Sequence, residues 1–562
     1  MTCYACLFEA KSIQDYILRS GRLRHIVGAS ELIDSLTGPL LDDVLKTLNI
    51  ADGPEVRLSR RAGGAVYLFS DSREHRDDFR DLWTLVVQQY APGLEFIVAL
   101  GEGTTDFAAY RQAQDALQSA RNRQPPALPA GTPITRLSPR TGQPAVAKDA
   151  KLGLQDAATA RFGLPDFWKR GTLVKRFAPK SEPEDWPRDL AYSENPTDEV
   201  AFPFLPDNRY LGLLHADGNG LGEILIRLGN HVKGHPDLFT CLFRDFSEAI
   251  RRATLAAAQE ATAQTLAPAE EEADAADTGE SAKRTVFPAR PIVLGGDDIT
   301  ILLRADRALP FAKAFLVAFE QCSRAELTAL WVQDKYRSIQ GLPEALTAGA
   351  GIAFVKSNHP FHLAHELAED LARFAKDRAK EIARSGNARS DGPPVRIPPT
   401  LAFYRVTTAS HGDYRDIREH ELTFGPPEAA IITTLGAYGI DQQPPELPAL
   451  ADLEKLTALL GREDLARGPA RQVLTLIGQD RNEAIRRYRR WRQVMGERQP
   501  KDRDDLGDLD DCLTHLCGPV DADLPVSRDG NPQSTPLADV ATLLAVGALV
   551  SAESTAPQED AQ

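Results

Sequence analysis

The chain predicts an α+β fold made of two βαββαβ units, and three stretches carry the prediction. In residues 294–300, Leu-Gly-Gly-Asp-Asp-Ile-Thr, an apolar approach (Pro291, Ile292, Val293) and an apolar exit (Ile301, Leu302, Leu303) read as two short strands joined by a glycine hairpin. Upstream, residues 211–222, Leu-Gly-Leu-Leu-His-Ala-Asp-Gly-Asn-Gly-Leu-Gly, read as a strand that runs into a glycine-rich entry to an amphipathic helix. Near the start, residues 62–69, Ala-Gly-Gly-Ala-Val-Tyr-Leu-Phe, repeat the hairpin pattern.

The first unit, residues 1–121, opens with a strand over Tyr4 to Phe8, continues through an amphipathic helix and the Gly63-Gly64 hairpin, and closes with a helix and a strand over Leu94 to Leu100. Residues 122–133 are proline-rich and mark a boundary, and 122–208 read as a connector with few periodic runs. The second unit, residues 209–425, repeats the order. From Tyr4 to Gly63 is 59 positions and from Leu211 to Gly295 is 84, of which residues 264–284 contribute 21. That acidic, alanine-rich insertion reads as a disordered loop. Residues 346–355 supply the fourth strand, followed by a helix from His362 to Lys380. Residues 426–550 read as helical, with Leu453, Leu456, Leu459 and Leu460 on one face, and 551–562 as an acidic tail.

Chemistry concentrates in the second unit. In a βαββαβ sheet the first and third strands are antiparallel neighbours, so Asp217 is expected to meet Asp297 and Asp298. Three carboxylates at one address can hold Mg²⁺ or Mn²⁺ through oxygen ligands, with Mg–O distances of about 2.0–2.1 Å. Two such ions would bind a nucleoside triphosphate, activate a hydroxyl and stabilise departing pyrophosphate. Gly218 and Gly220 lead into a helix whose first N–H groups suit phosphate, and Gly295 and Gly296 bring the hairpin backbone close to a nucleotide. Lys376 is placed to neutralise a triphosphate. Ser30, in a Gly28-Ala-Ser30 turn of the first unit, is a further candidate for nucleotide contact, with helix capping as the alternative. The first unit has Ala65 and Val66 where the second has its aspartates, so it keeps the shape without the metal ligands. Its expected role is to pair with the second unit and complete the pocket.

Bulk properties bound the reading. A chain of 562 residues exceeds one core. Its 42% hydrophobic and 26% charged content is that of a globular protein, no apolar run reaches the length of a membrane span, and the reading expects a cytoplasmic protein with no membrane partner. The net charge of −15 argues against tight nucleic-acid binding by the chain alone. Residues 486–492, Arg-Arg-Tyr-Arg-Arg-Trp-Arg, form a basic helix that clamps a phosphate backbone or stacks on a base, docks a more acidic protein surface, or is a solvated face with Tyr488 and Trp491 turned inward. Cys3 and Cys6 lie on one predicted strand with opposite facings, which disfavours zinc.

The ordered set of motifs resembles the large, polymerase-like subunit of type III CRISPR effector complexes. It comprises residues 8–17 (Phe-Glu-Ala-Lys-Ser-Ile-Gln-Asp-Tyr-Ile), 22–33 (Arg-Leu-Arg-His-Ile-Val-Gly-Ala-Ser-Glu-Leu-Ile), 217–222 (Asp-Gly-Asn-Gly-Leu-Gly) and 295–298 (Gly-Gly-Asp-Asp). GGDD alone is also similar to bacterial diguanylate cyclases. The resemblance implies two ferredoxin-like palm domains, a connector, a helical C-terminal domain, and conversion of ATP into cyclic oligoadenylate, a second messenger of antiviral defence. It also implies other effector subunits, guide RNA and target RNA as partners. The chain departs from the family in having no His-Asp dipeptide, hence no HD nuclease, and no cysteine zinc motif in the connector, so no zinc is expected. Two other readings are a stand-alone cyclic di- or trinucleotide cyclase, working without RNA control and able to act as a homodimer, and a scaffold subunit of a guide-RNA complex.

Overall fold

The computed structural model describes residues 2–548, apart from 123–130, 132–133, 151–152, 191–200, 207, 274–281, 386–395, 408–411, 441–445, 463, 466–467, 499–502 and 529–531. The expected acidic tail lies outside the described residues. In the first unit, β1 (Cys3–Lys11) leads to helix α1 (Leu23–Leu36), the hairpin β2 (Val56–Ala62) and β3 (Ala65–Ser70), helix α2 (Arg73–Tyr90), β4 (Glu95–Gly103) and helix α3 (Asp106–Arg121). The sheet order is β2-β3-β1-β4, with β1 antiparallel to both neighbours. Gly63 and Gly64 hold φ of 59° and 71°, the paired positive values of a two-residue type I′ turn.

The second unit repeats this plan. It runs through β5 (Tyr210–Gly218), helices α4 (Leu221–Gly234) and α5 (Phe239–Thr265), β6 (Ala289–Leu294), β7 (Asp298–Arg304), α6 (Ala305–Trp331), β8 (Ala348–Lys356) and α7 (Phe361–Ser385). The order β6-β7-β5-β8 matches the first sheet strand for strand, and β9 (Thr400–Arg405) and β10 (Ala437–Gly439) extend it. Helix α7 runs beyond the expected Lys380. The acidic insertion is not a plain loop: Ala269–Ala273 and Ala282–Val286 pair as an antiparallel ribbon, with 274–281 outside the described residues.

Glycines on the fourth strands explain how close the helices sit. A Cβ on Gly351 of β8 would lie 2.2 Å from the Ala368 carbonyl of α7, and one on Gly101 of β4 would lie 2.1 Å from the Ala109 carbonyl of α3. Both units therefore bury the same helix-on-strand contact through backbone rather than side chain.

The units share their cores. One cluster joins Ala5 and Leu7 of β1 to Leu214 and Ala216 of β5, and the other joins Cys6 and Phe8 to Leu211 and Leu213. The sharing is reciprocal: α1 of the first unit packs on β6, and α5 of the second packs on β2. Short connector helices at Ala157–Phe162, Pro165–Trp168 and Thr172–Phe177 cover α1. The Glu31 carboxylate of α1 accepts the N–H groups of Thr172 and Leu173 at 3.1 and 2.9 Å, and Arg176 pairs with Asp34 at 2.6 Å.

In the C-terminal region, α8 (Leu450–Gly461) buries the four expected leucines. The basic run lies on α9 (Arg481–Arg498), where Tyr488 and Trp491 are buried edge to face at 5.9 Å. Arg489 pairs with Asp523, and Arg492 with Asp510 of α10 (Asp505–Cys517), each at 2.7 Å. The inward-aromatic reading holds for this helix. Helix α11 (Leu537–Val546) is anchored by Asp539, which accepts hydrogen bonds from Thr434 Oγ1 at 2.7 Å, Leu435 N–H at 2.9 Å and Tyr438 hydroxyl at 2.5 Å.

Gly351→Val should lower stability by about 1–3 kcal/mol, because the new side chain meets helix backbone. Gly229→Ala in α4, where an added Cβ meets nothing within 4 Å, should raise it by about 0.5–1 kcal/mol. Thermal unfolding midpoints of the two variants, moving in opposite directions, check both.

Candidate functional site

The β6–β7 turn differs from its counterpart in the first unit. Leu294 pairs with Ile299, which leaves a four-residue loop, Gly295 to Asp298, closed by a 2.8 Å bond from Gly295 N–H to the Asp298 carbonyl. Its glycines do not use the positive φ expected of a tight hairpin. Gly295 is required for space, since a Cβ there would lie 1.6 Å from Asp298 Oδ1. Thr254 of α5 fixes the loop from behind, its hydroxyl donating to the Gly296 carbonyl at 2.8 Å.

Antiparallel register places Asp298 directly opposite Asp217, and opposed residues of a pair project to one face. Asp297 shares a hydrogen bond with Asp217. Lys376 reaches in from α7 and donates to Asp217 Oδ2 at 2.5 Å and to the Gly218 carbonyl at 2.8 Å. Burial pushes the Asp217 carboxyl up, but the Lys376 ammonium and the hydrogen bonds from Asp297 and Lys376 outweigh it and leave Asp217 below the ordinary range. Burial, the bond to Asp217 and the charges of Asp217 and Asp298 push Asp297 up to about 8. Burial, then the charge of Asp217, push Asp298 up to about 6. One ammonium thus faces three carboxylates. The donors are all oxygen and the cluster is short of positive charge, which fits hard divalent cations such as Mg²⁺ or Mn²⁺.

The cluster opens on a cavity of about 730 Å³ lined by both units, a volume suited to nucleotide-sized ligands. Gly295, Gly296, Asp297 and Asp298 line it, and so do Gly63 and Gly64 of the first unit. Ser30 also lines it, but neither in a turn nor at a cap. It lies within α1 and its hydroxyl donates to the Ile292 carbonyl of β6. Gly28 is helical too, and its missing side chain admits the Phe162 carbonyl of the connector. Gly220 departs further from expectation. It ends the β5–α4 turn at φ 78° and lines a separate cavity of about 330 Å³ with Arg227 and Arg324, while the Asn219 N–H is taken by the Thr347 carbonyl at 2.7 Å.

Several residues at the cavity were not singled out from sequence. Glu9 accepts from the Tyr67 hydroxyl and from Arg121 Nε, the latter at 3.1 Å, and the Arg60 guanidinium lies 5.6 Å from the Tyr67 ring centre. His215 and Glu369 line the wall beside the carboxylates. Burial lowers the imidazoles of His215 and His365 to about 4 and about 3, so both are neutral at pH 7. The signal for His215 was its place two residues before Asp217, which puts both on one face of β5.

Residues 210–383 match the family model described as Cas10/Cmr2, second palm domain, and that stretch, from β5 to α7, is a palm domain of this type. No curated protein matches the chain. Similar solved structures include the Csm1–Csm4 cassette in complex with cA4, at 12% identity over 97% of this chain and 70% of that one, with a TM-score of 0.48. The same cassette in complex with pppApA has 12% identity over 97% and 69%, with a TM-score of 0.47. Csm1 in T. onnurineus has 12% identity over 97% and 69%, with a TM-score of 0.42. Among the described residues, no helix is long and apolar enough to cross a membrane.

The raised pKa of Asp297 fixes a pH dependence for the ion-free protein. Folding favours its protonated form, so this group's contribution to stability is complete below about pH 4, its ordinary range, and is lost as pH rises through about 8. Asp297→Asn, with no charge to desolvate, should therefore raise the unfolding midpoint at pH 8.5 and leave it unchanged at pH 4. Differential scanning fluorimetry in EDTA reads both. Millimolar Mg²⁺ should stabilise the wild type more at pH 8.5 than at pH 6, because the ion need not displace the proton.

Proposed function

We propose that the chain is a metal-dependent nucleotidyltransferase that joins ATP into cyclic oligoadenylate, as the large subunit of a type III CRISPR effector complex. The observation that carries this reading is the register of Asp298 against Asp217, with Asp297 bonded to Asp217, at the mouth of a cavity both units line. The second-palm match over residues 210–383 supports the same assignment. Asp217, Asp297 and Asp298 would hold two divalent ions, Mg²⁺ or Mn²⁺. Bound there, such ions supply charge for the triphosphate and acidify a ribose hydroxyl.

The protein's own residues position the reactants. The Gly295–Gly296 backbone, without side chains, lets the triphosphate approach the carboxylates. Lys376, already charged and aimed at Asp217, offsets phosphate charge as it accumulates. In each cycle the 3′-oxygen of one nucleotide forms a bond to the α-phosphorus of another, the bond to the pyrophosphate oxygen breaks, and the hydroxyl proton leaves to solvent. The first unit, which lines the cavity with Glu9, Tyr67 and Arg121, seats the second nucleotide. Effector subunits, guide RNA and target RNA are the partners of this reading, with the C-terminal helices as the docking region.

Incubating the protein with each NTP and Mg²⁺ or Mn²⁺, with and without target RNA and partner subunits, followed by mass analysis, tests the activity. A cyclic adenylate product is expected. Asp297→Ala with Asp298→Ala should reduce turnover at least ~1,000-fold, in line with loss of metal-borne charge stabilisation. The unfolding midpoint of the ion-free variant should equal or exceed that of the wild type, since like charges are removed. Turnover retained in the folded double variant would overturn the assignment. Full activity of the free chain without RNA would favour a stand-alone cyclase.

A further inference from the structure

A second group of ligating side chains stands beside the carboxylate cluster and has no part in the proposed transfer. His215 lies two residues before Asp217, so it projects from the same face of β5. Helix α7 presents His365 and Glu369, one turn apart, towards it. One donor atom from each of His215, His365 and Glu369 lies within 4.8 Å of the other two. Both histidines are buried with ring centres 5.7 Å apart, and Glu369 is half-buried on the cavity wall.

The hydrogen bonding leaves ligand atoms available. His215 Nδ1 is 3.1 Å from Thr300 Oγ1, its register partner on β7, which occupies one ring nitrogen and orients the ring. Ring nitrogens of metal-bound histidines are held in this way. His365 Nδ1 is 3.9 Å from Glu369 Oε2, too far for a hydrogen bond. Its Nε2 has no partner among the described residues, although the residue is only 3% exposed. A buried polar atom without a partner is costly, and neither nitrogen of the His365 ring is held by a hydrogen bond to Glu369, so the ring is open to a cation.

We propose that His215, His365 and Glu369 form a third cation site, separate from Asp217, Asp297 and Asp298, that binds a transition-metal ion of the zinc and manganese class. Two imidazoles and one carboxylate select such an ion over Mg²⁺, which prefers oxygen ligands alone. Ligand atoms of a tetrahedral zinc lie about 3.3 Å apart, given bonds of about 2.0–2.1 Å, so the three side chains draw together when the ion binds. The ion ties β5 to α7, and α7 is the helix that carries Lys376 to Asp217, so it acts as a clamp on that lysine. This site does not depend on cysteines, whose absence from the connector excludes only a zinc site of that kind.

Cobalt(II) is the probe, because nitrogen ligation gives it visible ligand-field absorption. The full chain, stripped with EDTA, is titrated with CoCl₂ in excess MgCl₂. One equivalent should develop the absorption in the wild type and in Asp297→Asn with Asp298→Asn, and ZnCl₂ should bleach it. His365→Gln and Glu369→Gln should weaken binding at least ~10-fold. Absence of the absorption in the wild type overturns the proposal, as does its loss in the double asparagine variant with retention in His365→Gln. Should His365→Gln fail to fold, Glu369→Gln, altered at a half-buried side chain, decides: undiminished binding there overturns the site. The double asparagine variant keeps this outcome independent of whether the carboxylate cluster performs nucleotidyl transfer.

Discussion

Everything in this molecule depends on the reciprocal packing of two units across each other's hairpins. Helix α1 lies on β6, with the Ser30 hydroxyl donating to the Ile292 carbonyl, and α5 lies on β2. Alternate residues of β1 enter different cores, and each core is completed by β5 of the other unit. Neither unit closes a core by itself, so the burial of apolar surface that folds one also docks the other. The cavity follows from this arrangement, because the exchange brings Gly63-Gly64 and Gly295-Gly296 to the walls of one space.

The two hairpins then show how one plan yields one acidic site rather than two. A two-residue type I′ turn at Gly63-Gly64 spends both of its positions on positive φ. It leaves no loop position for a ligand, and Ala65 is already paired opposite Glu9. Opening the second turn to four residues frees Asp297 and lets Asp298 start β7 opposite Asp217. The first unit keeps a carboxylate, Glu9, but neutralises it with Arg121 and a tyrosine hydroxyl. The second leaves its three acids with one lysine, and that deficit of positive charge is what makes it a cation site.

The strand order, the repeat and the meeting of Asp217 with Asp297 and Asp298 were legible because they follow from alternation, glycine placement and the connectivity of βαββαβ sheets. Lys376 was legible as a charge on the right helix. Ser30 was misplaced because Gly-Ala-Ser has the composition of a turn, whereas Gly28 is there to admit the connector's backbone, a contact more than a hundred residues away in sequence. Gly220 was assigned to the phosphate side because sequence gives the turn but not which of two cavities it faces. The His215, His365 and Glu369 group was hidden for the same reason: its members lie on a strand and a helix whose apposition is tertiary. The acidic insertion read as structureless from composition, yet its two ends pair with each other as a ribbon separate from the sheet of the second unit, a pairing that composition does not show.

Packing and chemistry are not separable at the site itself. Lys376 reaches Asp217 only because α7 sits close to β8, and α7 sits close because Gly349 and Gly351 carry no side chains. A Cβ on Gly349 would lie 2.3 Å from Lys376 Cγ, and one on Gly351 would strike the backbone at Ala368. The alternation of alanine and glycine in residues 348–351 is thus what sets the height of the helix and so the reach of the ammonium group. The equivalent glycines in β4 seat α3 just as closely, yet among the described residues no lysine there faces a carboxylate across the sheet, because the β1 residue opposite Ala65 is Glu9 and its partner is Arg121 on α3 itself. The same backbone contact therefore serves only packing in one unit, while in the other it also fixes the electrostatics of three carboxylates.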